Sequence, residues 1–353
     1  MADRVDIGDT EVLAPNFKRR LSGVTSTIVQ LIPRQRALGT RIAAFGPGLP
    51  EGLPRLRWTQ LPGMWKAPSG GRLRVWHARR NNEMIAGLVL RDILRMPLKL
   101  VFTSAAQRHH KPLTRWLINR MDRVVATSER SGSYLQVPHS TILHGIDTQE
   151  FHPPVGAEDT MEATGFPGRH IVGCFGRIRH QKGTDLFVRA MIALLPEYPH
   201  WTAVITGRVT AEHKSFADGL KAEVEAEGLS DRIVFLGEVP DVKIWYRRIT
   251  LYVTASRNEG FGLTPLEAMA SQTAVIASDA GAYPEIIVPG ETGEIVPAGD
   301  GEALTRAITP YLADPGKAAD AARKGLDHVR ENFDIVREAS ALNEVYEGLL
   351  GRS

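Results

Sequence analysis

Glu259-Gly-Phe-Gly-Leu-Thr-Pro-Leu-Glu267 places two carboxylates eight positions apart, the first in a glycine-bearing loop and the second at the opening of a helix. Thr264, Pro265 and Glu267 are expected to be N-cap, N1 and N3, because Thr-x-x-Glu is a capping-box pattern and proline suits the first helical position. A helix start behind a Gly-rich loop favours an anion, through its exposed N–H groups and its dipole. An ionised carboxylate only accepts hydrogen bonds, and sugar hydroxyls donate them. Two carboxylates beside an anion site therefore fit a phosphate flanked by two polyols, which is a nucleotide sugar.

Gly173-Cys-Phe-Gly176-Arg177-Ile-Arg-His-Gln-Lys182-Gly183-Thr184 supplies the complementary charge. A strand ends in glycine, a basic loop follows, and a helix begins at about Thr184. Arg177 would meet one pyrophosphate through its planar fork and Lys182 as a point charge. A P-loop needs Gly-Lys-Ser/Thr, whereas the order here is Lys-Gly-Thr. Gly46-Pro-Gly48-Leu-Pro-Glu-Gly52 misplaces the third glycine of a dinucleotide fingerprint and carries two prolines, so it reads as a loop. No Asp-x-Asp pair is present, and the histidines at 77, 109, 110, 139 and 144 lack metal-ligand spacing. No metal or cofactor is expected; Cys174, the single cysteine, excludes an intramolecular disulfide framework.

Length and charge set the frame. The 353 residues suit two domains, and 43% apolar with 24% charged content is ordinary for a soluble globular chain. No segment approaches the ~18 consecutive apolar residues of a membrane span. The N-terminal residues lack a signal-peptide pattern, so a cytoplasmic location is expected. Residues 1–150 carry 23 Lys/Arg against 11 Asp/Glu, and the remainder 20 against 29. The first half thus faces something anionic. Nucleic acid is one candidate, but the basic residues lack interleaved aromatics and no nucleic-acid motif is present. An acidic glycolipid or phospholipid surface is another.

Both halves alternate strands and helices, the pattern of parallel sheets covered on both faces. In the first half strands are expected at 11–15, 41–45, 72–77, 98–103, 123–127 and 140–143, with helices at 26–38 and 82–95. After an irregular Pro-ended stretch at 144–154, strands follow at 170–175, 201–206, 232–236, 250–254 and 274–277. Helices are expected at 184–195, from 265, at 301–312 and at 333–350. The fold class is α/β: two doubly wound, Rossmann-like domains, 1–150 and 151–332, facing a cleft, with ligands at the carboxyl ends of the strands. Lys18-Arg19-Arg20 and Arg79-Arg80 sit in strand-end loops, where they would attract an anionic acceptor. Arg115-Trp116-Leu117 and Arg120-Met121 give a helix of mixed basic and apolar character, either resting on a membrane or packing Trp116 inward.

Gly-Arg-x4-Lys-Gly, Glu-Gly-Phe-Gly-Leu-x-x-Leu-Glu-Ala-Met-Ala, Gly281…Glu285 and Thr292-Gly293 together resemble the C-terminal domain of family-four retaining glycosyltransferases with the GT-B fold. His-Gly-Ile-Asp-x-x-x-Phe-x-Pro at 144–153 is similar to that family's linker. More narrowly, the chain resembles rhizobial lipopolysaccharide-core mannosyltransferases, which implies GDP-mannose as donor and an acidic inner-core sugar as acceptor. The resemblance implies that Arg177 and Lys182 grip the diphosphate and that Glu259 accepts from donor-sugar hydroxyls. N–H groups of Phe261, Gly262 and Leu263 would line sugar and phosphate beside Gly176, Glu267 would hold the ribose, and Val239 and Pro240 would border the base. Ser22-Gly23 keeps one glycine of the family's Gly-Gly loop, and a family histidine maps to His109. The last helix, 333–353, would cross back to the first domain. Gln272 and Ala274 stand where the family has glycine and proline. The implied chemistry is retaining transfer, with the acceptor hydroxyl attacking from the leaving-group face. A nucleotide-sugar 2-epimerase on a similar frame, or a binding module for an anionic polymer, are the alternatives.

Overall fold

The computed structural model describes residues 5–19 and 23–352. The chain divides into two compact units: Met1–Gly145 with Ile335–Ser353, and Ile146–Asp334.

In the first unit, β1 (Val12–Pro15), β2 (Ile42–Phe45), β3 (Arg55–Leu56), β4 (Arg74–Ala78), β5 (Leu98–Ser104), β6 (Arg123–Ala126) and β7 (Ser140–Thr141) form one sheet. Their order is β3-β2-β1-β4-β5-β6-β7, and every pair is parallel. Side chains alternate across a strand, so each strand feeds two cores. Val12, Val75, Val101 and Val125 pack with Ile28, Leu342 and Tyr346 on one face. Leu13, Trp76, Leu100 and Val124 pack with Met84 and Leu117 on the other. A sheet apolar on both faces must be covered twice, which explains the near-continuous Val/Leu/Ala runs.

The Ile335–Leu350 helix belongs to this unit. Its Tyr346 hydroxyl lies 2.7 Å from Nδ1 of His77 at the end of β4, and Nε2 of His77 lies 2.6 Å from Oγ1 of Thr103. Its Glu338 accepts from the Gly145 N–H at 2.8 Å and pairs with His144 at 2.7 Å.

The second unit holds β8 (His170–Phe175), β9 (Trp201–Thr206), β10 (Ile233–Gly237), β11 (Leu251–Thr254), β12 (Ala274–Ser278) and β13 (Gly293–Val296). The order β10-β9-β8-β11-β12-β13 is again wholly parallel. Strand order reverses between β8 and β11, where Leu251 pairs with Val172. In open α/β sheets this reversal opens a crevice at the carboxyl ends of the strands, and ligands bind there. The core gathers Val172, Phe187, Trp201, Val253, Ile276 and Tyr311.

Two features depart from expectation. The helix at 82–95 is an α-helix over Asn81–Leu88 that opens into a wider π turn over Val89–Ile93. Helices Lys214–Ala226, Lys243–Arg248 and Pro315–Asn332, and strands β3 and β13, add to the expected set.

Candidate active site

The two loops singled out in the sequence leave β8 and β11, the strands on either side of the order reversal. Gly176 and Arg177 directly follow β8, and Lys182 closes a short 3-10 turn, His180–Lys182, before the Thr184–Leu194 helix. Gly183 has φ +68, and a Cβ there would overlap the Ala255 carbonyl, so only glycine lets this turn lie against the end of β11. Gly207 has φ +146 and meets the Gly176 carbonyl in the same way.

Arg257 stitches the loops together. Its guanidinium donates to Asp185 Oδ1 at 2.7 Å and Oδ2 at 2.8 Å and to the His180 carbonyl at 2.7 Å, while its N–H donates to the Gln181 carbonyl at 2.9 Å. A bidentate fork fixes orientation as well as distance. Sequence reasoning missed this pair, since 72 positions separate the partners and neither belongs to a local motif.

The Glu259 carboxylate, expected from the resemblance to accept from donor-sugar hydroxyls, already has a protein partner. The Lys182 ammonium donates directly to Glu259 Oε2, and the Gly260 N–H lies 3.1 Å from Oε1. Lys182 and Glu259 keep 22% and 19% of their side-chain surface, so solvent still reaches both. Burial pulls the Lys182 pKa down, but the phenol of Tyr283 and the Glu259 carboxylate together hold it above the ordinary lysine value. Gly262 at φ +89 and Gly281 at φ +63 each press on the Glu259 side chain, with Cβ–Cγ approaches of 3.0 and 3.1 Å were a Cβ present. The carboxylate is thus confined between two glycine-only turns and one lysine. Arg177 is exposed and makes no hydrogen bond or ion pair among the described residues.

The capping box is corrected. The helix runs Thr264–Ala270 with Leu263 as N-cap, and no side chain caps it. The Thr264 hydroxyl instead engages the phenols of Tyr252 and Tyr283. Glu267 Oε2 accepts from the Tyr246 hydroxyl at 2.8 Å. Burial pushes the Glu267 pKa up, with Tyr246 and Lys182 opposing it. Phe261 is buried, and its carbonyl accepts from the Ala282 N–H at 2.9 Å. Beyond β10, Val239 is half-buried and Pro240 exposed. Burial pushes the Cys174 thiol up to about 12, so it offers no nucleophile.

In the first unit Arg79 and His109 line one cavity of about 560 Å³ at the carboxyl ends of β4 and β5. His110 lines it too, as do Arg108 and Lys111, which are absent from the sequence reading, and no carboxylate does. Lys18 and Arg19 are exposed beyond β1, where their carbonyls pack on Gly48. Neither lines that cavity. Arg20 and Ser22 lie outside the described residues; Gly23 opens the Gly23–Ala37 helix with clear space around it. Arg80 turns inward to Asn16 Oδ1 at 2.9 Å and to Glu83. Among the described residues no group of three or more His, Cys, Asp or Glu is arranged to hold a metal.

The profile of the family described as "Glycosyl transferases group 1" matches residues 157–328. The lipopolysaccharide core biosynthesis mannosyltransferase LpcC of Rhizobium leguminosarum bv. viciae is 70% identical over 346 residues, 98% of each chain. The chain belongs to the group 1 glycosyl transferases. The corresponding mannosyltransferase LpsB of Rhizobium meliloti (strain 1021) is 53% identical, over 98% of this chain and 99% of its own. Among solved structures, Anabaena Alr3699/HepE in complex with UDP and glucose superposes with a TM-score of 0.81 at 18% identity, covering 96% of this chain and all of that one. That likeness shows the α/β fold of two parallel sheets, the GT-B type, for this group 1 glycosyl transferase. The Gly176–Gly183 and Glu259–Glu267 loops both fall inside the profile match.

Proposed function

We propose that this glycosyl transferase moves mannose from GDP-mannose onto an anionic inner-core sugar of lipopolysaccharide, with retention and without a metal ion. One observation carries the reading: Lys182 pairs with the confined Glu259 carboxylate where the strand order reverses, and Arg177 lies exposed in the loop that leaves β8 there. Cleavage of the glycosyl–phosphate bond places charge on the departing diphosphate. Arg177 and Lys182 stabilise that charge more in the transition state than in the ground state. Glu259 then accepts from a donor-sugar hydroxyl, and Glu267, steadied by Tyr246, from the ribose. Residues 238–240 border the base. The acceptor hydroxyl attacks from the leaving-group face and gives its proton to a diphosphate oxygen.

The relatives named for lipopolysaccharide-core mannosyl transfer, at 70% and 53% identity over almost the whole chain, support the sugar and the acceptor class. The cavity of Arg79, Arg108, His109, His110 and Lys111 supports an acidic acceptor. Its user at the cytoplasmic face of a membrane would be a lipid-linked core. The test is transfer from GDP-mannose to a deacylated core acceptor, with chelator present and the product anomer read by NMR. An α product that forms with chelator is expected; no transfer, or a β linkage, ends the proposal. Calorimetric titration of GDP, UDP and ADP tests the base, with GDP expected to bind tightest.

A further inference from the structure

Seven of the twelve exposed large apolar side chains among the described residues crowd one region of the first unit, and scattered surface residues do not do that. Ile85 and Val89 follow at a four-residue step along the Asn81–Leu88 helix and its π extension, and Ile93, 70% exposed, continues the stripe with Leu94 beside it. Leu113 and Trp116, the latter 48% exposed, form a second stripe on the Pro112–Ile118 helix. The two helices are joined: Asn81 Nδ2 donates to Thr114 Oγ1 at 2.8 Å, and Arg91 donates to the Arg120 carbonyl at 3.2 Å. Trp65 adjoins them, its indole N–H donating to the Leu94 carbonyl at 2.7 Å. Trp116 therefore does not pack inward, and it carries the Arg120 guanidinium 3.7 Å from its ring centroid.

The charge around these stripes has one sign. Residues 81–123 hold eight Lys/Arg against three Asp/Glu. Glu83 is buried against Arg80, and Asp92 and Asp122 are paired with Arg91. Arg95, Arg108, Lys111 and Arg115 are exposed and form no ion pair among the described residues. An apolar stripe with tryptophan, framed by free cations, suits a bilayer interface of negative charge, where apolar burial and attraction to anionic headgroups add. A second copy of the chain would bring the same cations against themselves.

We propose that the face built by residues 81–94 and 112–120 rests on an anionic phospholipid bilayer. Asn81 and Thr114 belong both to this face and to the lining of the basic cavity, and Lys111 of that lining directly precedes the Pro112–Ile118 helix, so a docked protein presents that cavity at the lipid surface. The docking stands on the surface alone; its purpose, delivery of a lipid-linked acceptor, rests on the proposed function.

The test is cosedimentation of the whole chain with vesicles of phosphatidylcholine alone or mixed with phosphatidylglycerol. Pelleting with the mixed vesicles, weakened by salt, is expected. Arg95→Gln and Arg115→Gln should each weaken it roughly fivefold, about the contribution of one cation near such a surface. Ile93→Asp combined with Trp116→Ser should abolish it while transfer to the deacylated acceptor is unchanged, which separates docking from folding. No pelleting with either vesicle, or variants that bind like the parent, would overturn the inference. So would a concentration-dependent dimer that Ile93→Asp dissolves while no vesicle binds. Vesicle binding without any mannosyl transfer would remove the proposed function and leave the docking face standing.

Discussion

The Lys182 ammonium and the Glu259 carboxylate, 77 positions apart, hold each other at the carboxyl ends of β8 and β11. In the reading given above, both groups must exchange partners when the donor arrives: lysine turns to diphosphate and glutamate to a sugar hydroxyl. Each keeps the other's charge compensated until then. Arg177 has no such partner and is available from the start.

Kinetics and stability should therefore separate these two cations. Arg177→Ala is expected to lower kcat about 10²–10³-fold, the typical effect of losing one transition-state donor. Its thermal midpoint should hardly move, because the side chain is exposed and unpaired. Lys182→Ala should lower kcat similarly and also cost about 1–3 kcal/mol, since Glu259 loses its partner in a half-buried site. Kinetics with calorimetry decides; equal stability losses would refute the distinction.

Gly262 tests the confinement of Glu259. Its φ of +89 is poorly tolerated by other residues, and a Cβ would run into the Tyr283 ring. Gly262→Ala should cost at least about 1–3 kcal/mol from backbone strain alone and raise KM for the donor. Chemical denaturation and donor kinetics measure both effects.

Gln272 gives a prediction of opposite sign. The Thr264–Ala270 helix ends in a Schellman motif, with Gln272 N–H donating to the Met269 carbonyl and Thr273 N–H to the Ala268 carbonyl, both at 3.0 Å. The motif's left-handed residue is Gln272 at φ 59, a position that favours glycine. Gln272→Gly should stabilise the protein by about 0.5–1 kcal/mol, because relief of the left-handed cost exceeds the added freedom of the unfolded chain. A lower melting temperature would contradict it.

Acid should weaken the first unit through His77. Complete burial, reinforced by Arg79, holds its imidazole well below the ordinary value of 6.5. The folded protein thus binds fewer protons there than the unfolded chain, so this stability is full above about pH 6.5 and falls as pH drops below it, by up to ~1.4 kcal/mol per unit. His110 and His170, lowered chiefly by burial, act in the same direction. A His77→Gln variant should show a shallower loss between neutrality and the onset of carboxylate protonation, read from denaturant midpoints across pH.

The strands were legible because parallel sheets bury both faces and leave unbroken apolar runs such as Ile171-Val172 and Val124-Val125. The site loops were legible because glycine, charge and spacing are local. The Pro315–Asn332 helix was not: its buried stripe runs Ala318, Ala321, Ala322 and Gly325 before Leu326 and Val329, so its first three turns bury only small residues that do not register as an apolar period. The loops' mutual fastening was equally hidden. Arg257 with Asp185, Lys182 with Glu259 and Tyr246 with Glu267 are long-range pairs that only the fold brings together. The capping box failed because Tyr246, buried and in need of an acceptor, took the carboxylate that the helix terminus would have used.

The first unit recruits Leu342 and Tyr346 from a helix made after all of residues 146–334. During synthesis the intervening unit, continuous in the chain, can close its core while the earlier-made sheet still waits for its last covering. The second unit is then the senior partner in biogenesis, and the basic first unit, though translated first, matures second.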